Sequence, residues 1–95
     1  RGSTAYLLVA TSAARAADLW RWRLAPGEVY AGRADPAGSQ ELFTVTEGSL
    51  TVCADGVEHR IEAGEAARLR SDRAYEYRNT ATTFVTFYRV VALAH

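Results

Sequence analysis

The chain has 95 residues, enough for one compact domain. Hydrophobic residues make up 48% of it and the formal net charge is zero, which excludes a disordered chain and leaves no basic tract for this segment to grip nucleic acid by itself. The single cysteine, Cys53, excludes an internal disulfide and points to a reducing, cytoplasmic setting. No apolar run is long enough to span a membrane, and no secretory leader is visible. All 11 basic residues are arginine, alanine is abundant and methionine is absent. This composition fits a GC-rich bacterial coding sequence, and the absence of an initiator methionine fits a domain cut from a longer chain or a processed or truncated one, with Arg1-Gly2-Ser3 compatible with a tag remnant.

In chain order, Tyr6 to Ala10 reads as an opening strand. Thr11 to Asp18 is alanine-rich and is compatible with one helical turn or a loop. Leu19 to Leu24 alternates strictly: Trp20, Trp22 and Leu24 share one face, Arg21 and Arg23 the other. That period of two makes one buried and one solvated face on a strand, and nothing coherent on a helix. Pro26-Gly27 ends the run. Glu28 to Arg33 forms a short strand, and Pro36 and Gly38 mark a loop over 35–39. Glu41 to Thr46 alternates again, with Glu41, Phe43 and Val45 on one face. Glu47-Gly48 turns into Ser49 to Cys53, and Asp55-Gly56 signals a two-residue hairpin into Val57 to Ile61. Ala66 to Leu69, Ala74 to Asn79 and Thr83 to Val91 complete eight or nine short strands. Such spacing predicts an all-β sandwich or barrel in one domain.

Two glycine-anchored segments carry a resemblance. Glu41 stands seven positions before Gly48, and Gly64 stands fifteen before Asn79. These match the spacing of the two motifs of the cupin superfamily, which the chain resembles over nearly its whole length. More narrowly, Leu24-Ala25-Pro26-Gly27, Asp35 to Glu41, Glu47-Gly48, Asp55-Gly56, Ala63-Gly64-Glu65 and Tyr77-Arg78-Asn79 resemble the C-terminal cupin domain of XRE-type bacterial transcription regulators. The resemblance implies a small jelly-roll β-barrel over residues 1–95, forming the C-terminal part of a longer chain with an N-terminal helix-turn-helix domain.

The departures from that pattern bear on chemistry. A cupin metal site is usually three histidines and a glutamate. Here Arg33, Ala34, Asp35 and Pro36 occupy the neighbourhood of the first-motif histidines, and Tyr75 stands at the second-motif histidine. Only Glu41 remains, and His59 and His95 lie outside both motifs. A divalent ion wants several imidazole or carboxylate donors, and a neutral phenol is a poor substitute. The residues therefore predict no metal, no other cofactor and no catalytic group.

In the family register Glu41, Tyr75 and Asn79 would hold the polar part of a small molecule, with Trp20, Trp22, Phe43 and Tyr77 packing its apolar part. Each has a purely structural alternative: aromatics at strand spacing make a core, Glu41 near a strand start can face water, and Asn79 can cap a turn. Arg60, Arg68, Arg70, Arg73 and Arg78 are interleaved with Glu58, Glu62, Glu65, Asp72 and Glu76, which predicts a solvated face of mixed sign. The implied function is an effector-sensing or dimerisation module of a bacterial transcription regulator that reaches DNA only through the helix-turn-helix domain. The competing readings are a metal-dependent cupin enzyme of dioxygenase or isomerase type, and a structural dimerisation domain with a filled interior.

Overall fold

The computed structural model describes residues 2–12 and 16–94. Nine strands run in chain order: β1 (Thr4–Ala10), β2 (Ala17–Leu24), β3 (Val29–Gly32), β4 (Gln40–Glu47), β5 (Ser49–Ala54), β6 (Val57–Glu62), β7 (Ala66–Arg70), β8 (Tyr75–Arg78) and β9 (Val85–Ala92). The expected strands are all present, with ends moved by a few residues. Of the alanine-rich segment over 11–18, Ala17 and Asp18 belong to β2, and residues 13–15 lie outside the described residues, as do Arg1 and His95.

The strands form two antiparallel sheets, one in the order β1-β2-β9-β4-β7 and the other in the order β3-β8-β5-β6. This is the jelly-roll arrangement, two sheets facing across a shared interior. Alternation along each strand sets the inward faces. In β4 Glu41, Phe43 and Val45 are buried while Leu42, Thr44 and Thr46 are exposed, and in β9 Val85, Phe87, Arg89 and Val91 are buried. The Asp55-Gly56 hairpin joins β5 to β6 with positive φ at both residues, 53° and 73°. That is the turn geometry whose twist matches paired strands. Gly48, at φ 82°, carries the chain from one sheet to the other, where a Cβ would press on the carbonyl of Phe84.

Between the sheets lie Trp22, Leu24, Phe43, Val45, Leu50, Val52, Ile61, Leu69, Tyr75, Tyr77, Val85 and Phe87. Trp22 stacks on Phe87 at 5.7 Å between ring centroids and meets Tyr77 edge-on at 5.6 Å. Phe43 also packs edge-on against Tyr77 and Phe87. Such offset and edge-to-face contacts are the favoured geometries of aromatic rings. The outer face has the mixed character expected: Arg60 pairs with Glu62, Arg70 with Asp72, Arg73 with Asp55 and Asp72, and Arg78 with Glu58 and Glu76.

Candidate functional site

Antiparallel register fixes what lies at one end of the interior. Trp20 of β2 sits opposite Arg89 of β9, Asp18 opposite Val91, and Val91 opposite Glu41 of β4. From the facing sheet, Gly32 of β3 sits opposite Tyr75 of β8, and Tyr30 opposite Tyr77. All the positions named on β2, β4, β8 and β9 share the parity of the core residues on the same strands.

The centre is Glu41, which is 1% exposed. Tyr75 donates its hydroxyl to Glu41 Oε2 at 2.8 Å, and Tyr77 donates to Oε1. The Arg89 guanidinium, 6% exposed, lies 3.8 Å from Oε2 and donates from Nη1 to the Tyr77 hydroxyl at 3.4 Å. The same guanidinium rests near the rings of Trp20, Trp22 and Tyr77, at 5.4, 5.0 and 5.9 Å from their centroids. Cation–π contact and ion pairing together offset the cost of a desolvated arginine. Burial pushes the Glu41 carboxyl above its ordinary value of 4.5; Arg89 and the Tyr75 hydrogen bond pull it back, and nearby Asp35 pushes it up further. Burial, and then the charge of Glu41, push the Tyr75 phenol upward, so it stays a neutral donor.

Next to this cluster lies a cavity of about 420 Å³ walled by Asp18, Trp20, Tyr30, Arg33, Asp35, Glu41, Tyr75, Arg89 and neighbouring aliphatic groups. That volume falls in the range of small-molecule pockets, about 300–1,000 Å³. Two local devices shape it. Gly32 has no side chain, and a Cβ there would overlap the Tyr75 ring. The 33–39 loop is tied down by backbone bonds from Asp35 N to Ser71 O and from Ser71 N to Ser39 O, and by Gly38 N to Asp72 Oδ2. The Gly38 amide, and then the guanidinium groups of Arg73 and Arg70, hold the Asp72 carboxyl down at about 2. The loop bearing Asp35 is thus fixed against the β7–β8 turn.

The expected site residues divide. Glu41, Tyr75 and Trp20 line the cavity, and Tyr77 supports Glu41 from the core side. Trp22 and Phe43 pack in the core and do not reach the cavity wall. Asn79 sits apart: its Nδ2 donates to Leu24 O at 2.9 Å and Thr83 O at 2.8 Å, and its Oδ1 accepts from Ala81 N. Its amide is committed to joining two turns. Arg89 is missing from the expected set, yet strand parity marks it, because a cation between Phe87 and Val91 on an apolar face needs a partner inside. Asp18, Tyr30, Arg33 and Asp35 also join the wall, which only the meeting of separate strands reveals. His59 is exposed on β6, away from this cavity.

Among the described residues no group of three or more histidine, cysteine, aspartate or glutamate side chains is placed to hold a metal ion. A cation beside Glu41 would also face the charge of Arg89, so these residues do not fit the family's metal. No helix among the described residues is long and apolar enough to cross a membrane.

The model of the Cupin domain family matches residues 20–91. No curated protein matches the chain. Among solved structures, the chain is similar to the Cupin_2 domain of an XRE family transcriptional regulator from Enterobacter cloacae, at 22% identity and a TM-score of 0.91, with 100% of both chains covered. It is similar to an HTH_3 family transcriptional regulator from Vibrio cholerae at 22% identity and a TM-score of 0.87; here 98% of this chain spans 52% of the other. It is similar to a predicted oxalate decarboxylase from Thermotoga maritima at 23% identity and a TM-score of 0.79, covering 99% and 86%. Likeness at these identities establishes fold and leaves activity open. By the family match over most of its length, and by the two facing sheets that carry it, this chain belongs to the cupin domain family.

Proposed function

We propose that this domain is the small-molecule-sensing and dimerisation module of a bacterial transcription regulator, works without a metal and is not an enzyme. One observation carries the reading: the motif glutamate, Glu41, is engaged by two phenols and a guanidinium, while a cavity remains beside it. A carboxylate so engaged is a poor metal ligand, and the arrangement offers no nucleophile paired with a general base. It does offer aromatic walls and a few convergent polar groups, which is how effector pockets are built. The likeness to regulator cupin domains supports the same assignment. Effector binding would reach a helix-turn-helix domain elsewhere in the full protein as a difference in affinity between two states.

For dimerisation, β1 is the support. Among the described residues it pairs only with β2, which leaves its outer edge unpaired there, and Tyr6 and Val9 are 53% and 60% exposed with Leu7 and Leu8 beside them. An apolar edge strand of this kind needs a cover, and a second copy in two-fold symmetry supplies one.

Native mass spectrometry of the chain, purified without chelator or added metal, tests both parts. The expected result is a metal-free dimer. One tightly held divalent ion per subunit would put a metal-dependent cupin enzyme first, and a monomer at micromolar concentration would remove the dimerisation half. A native gene that encodes no helix-turn-helix segment joined to this domain would remove the regulator.

A further inference from the structure

We propose that the domain carries a second binding site, in the seam between β6 and β7, and that it takes a small amphiphilic carboxylate: an apolar body with one carboxylate head. The seam shares no wall residue with the cavity beside Glu41, so this site stands apart from the sensing role assigned to that cavity.

The seam follows from strand order. β6 ends the four-stranded sheet and β7 ends the five-stranded sheet, and among the described residues neither pairs with a strand beyond it. The sheets therefore part between these two edges. On β6, Ile61 lies opposite Leu50 and His59 opposite Val52. Directly opposed residues of an antiparallel pair share one sheet face. Leu50, Val52 and Ile61 are buried, so that face is the inner one, yet His59 on it is exposed. Val57, on the same face, is 49% exposed. The inner face of β6 thus runs out past its cover. On β7 the position opposite Phe43 is Ala67, where only a methyl group stands.

The result is a cavity of about 530 Å³. That volume falls within the range of about 300–1,000 Å³ usual for small-molecule sites. Its wall combines the core residues Phe43, Val52, Ile61 and Leu69 with the exposed His59, Arg60, Glu65 and Arg68. The polar groups are not equivalent. Glu65 is used within the fold, since its Oε1 accepts the Glu62 amide at 2.8 Å. Arg60 is held by Glu62, 2.6 Å from its Nε. Arg68 and His59 have no side-chain partner among the described residues. An uncommitted guanidinium with an imidazole nearby suits a carboxylate, and charge-assisted bonds of that kind are the strong ones. An amine would meet two arginines, a neutral alcohol would leave the Arg68 fork unmatched, and inorganic phosphate would leave the apolar wall uncovered.

Nitrogen-15 correlation spectra of the chain, titrated with sodium octanoate below its micelle concentration, test this. Octylamine and octanol carry the same chain on other heads, and acetate carries the head alone. The expected result is saturable shifts at the backbone amides of His59 to Ile61 and Ala66 to Leu69. Octanoate should bind about tenfold or more tighter than octanol, octylamine or acetate. Arg68→Gln, at an exposed position, should weaken octanoate about tenfold and leave octanol unchanged. A merely structural Arg68 would change both alike. Ala67→Val, which adds two carbons to the wall, should weaken both.

Octanol or octylamine binding as tightly as octanoate would overturn the assignment. So would unchanged octanoate binding in Arg68→Gln, or silence at every amide of β6 and β7. Shifts confined to the Trp20 indole and the strands around Glu41 would move the molecule to the other cavity, which would remove this site and leave the sensing function intact.

Discussion

The two ends of the interior are built from the same strands and have opposite character. At one end Trp22, Val45, Val85 and Phe87 are buried together in the core cluster; at the other Trp20, Glu41, Tyr75 and Arg89 wall a cavity. A step of two residues along β2, β4, β8 or β9 converts one end into the other, since side chains on one face recur every second residue. The packed end is held by burial and shape. The open end is held by mutual satisfaction of charges and hydroxyls, and it leaves polar atoms over. A jelly roll can therefore keep a cavity at one end of its interior while the other end supplies the packing.

Truncation should separate the two ends most sharply. Phe87→Ala in the packed end should cost about 3–5 kcal/mol of unfolding free energy in a urea titration, from lost burial plus the cavity left behind. A loss under about 1 kcal/mol would mean that the packed end is not where stability resides.

Arg89→Met should cost about 3 kcal/mol near neutral pH, because it strands a buried carboxylate. The loss should shrink in acid. Glu41 has a folded pKa above its ordinary value, so its stabilising share is complete below about 4.5 and is lost as pH rises through the folded pKa. Removing Arg89 removes the main influence pulling that pKa down and steepens the decline. Unfolding measured across pH should show wild type losing stability relative to Glu41→Gln as pH rises above 4.5. Parallel curves would show that Glu41 does not titrate in this way.

Smaller changes refine the open end. Gly32→Ala should cost about 1–3 kcal/mol by driving the Tyr75 ring off its place. Tyr75→Phe, which removes one hydroxyl, should cost about 1 kcal/mol. If Gly32→Ala proved the milder of the two in thermal melts, the close approach of β3 to Tyr75 would not be what shapes the cavity.

The least effect on global stability belongs to the loop. Asp72 titrates near 2 when folded, so its contribution is present above 3.8 and is lost as pH falls through about 2. Asp72→Asn should leave the core unfolding transition nearly unchanged while hydrogen exchange at the Gly38 amide speeds up. Unchanged exchange there would mean that Asp72 does not hold the loop that carries Asp35.

Legibility follows the range of the forces involved. Alternation and turn chemistry act over a few residues, which is why the strands around Trp20, Glu41 and Tyr75, and the Asp55-Gly56 hairpin, could be read directly. Burial of Glu41 follows from its sharing a face with Phe43 and Val45. Arg89 obeys the same rule on β9 and was equally readable. Trp20 and Trp22, by contrast, have the same pattern and different fates, because only the depth of each along the sandwich decides which one meets a cavity. Asn79 has the parity of Tyr75 and Tyr77 but lies where two turns converge, and their backbone groups take up its amide. The need for glycine at position 32 depends on a ring more than forty residues away in sequence.

Strand spacing alone reads as an all-β sandwich or barrel with a definite inward face on most strands, and the resemblance to the cupin motifs adds that Tyr75 stands where a metal-ligand histidine is usual. The first of these resides in local periodicity; the second rests on the spacing of Glu41 to Gly48 and Gly64 to Asn79 that carries the resemblance. What strand pairing adds is that Glu41 is shared by Tyr75, Tyr77 and Arg89, and that a cavity walled by Trp20, Asp35 and Arg89 lies beside it. These depend on register between strands far apart in the chain, because a hydrogen bond is made or missed by about an ångström, and no local pattern specifies distance that finely.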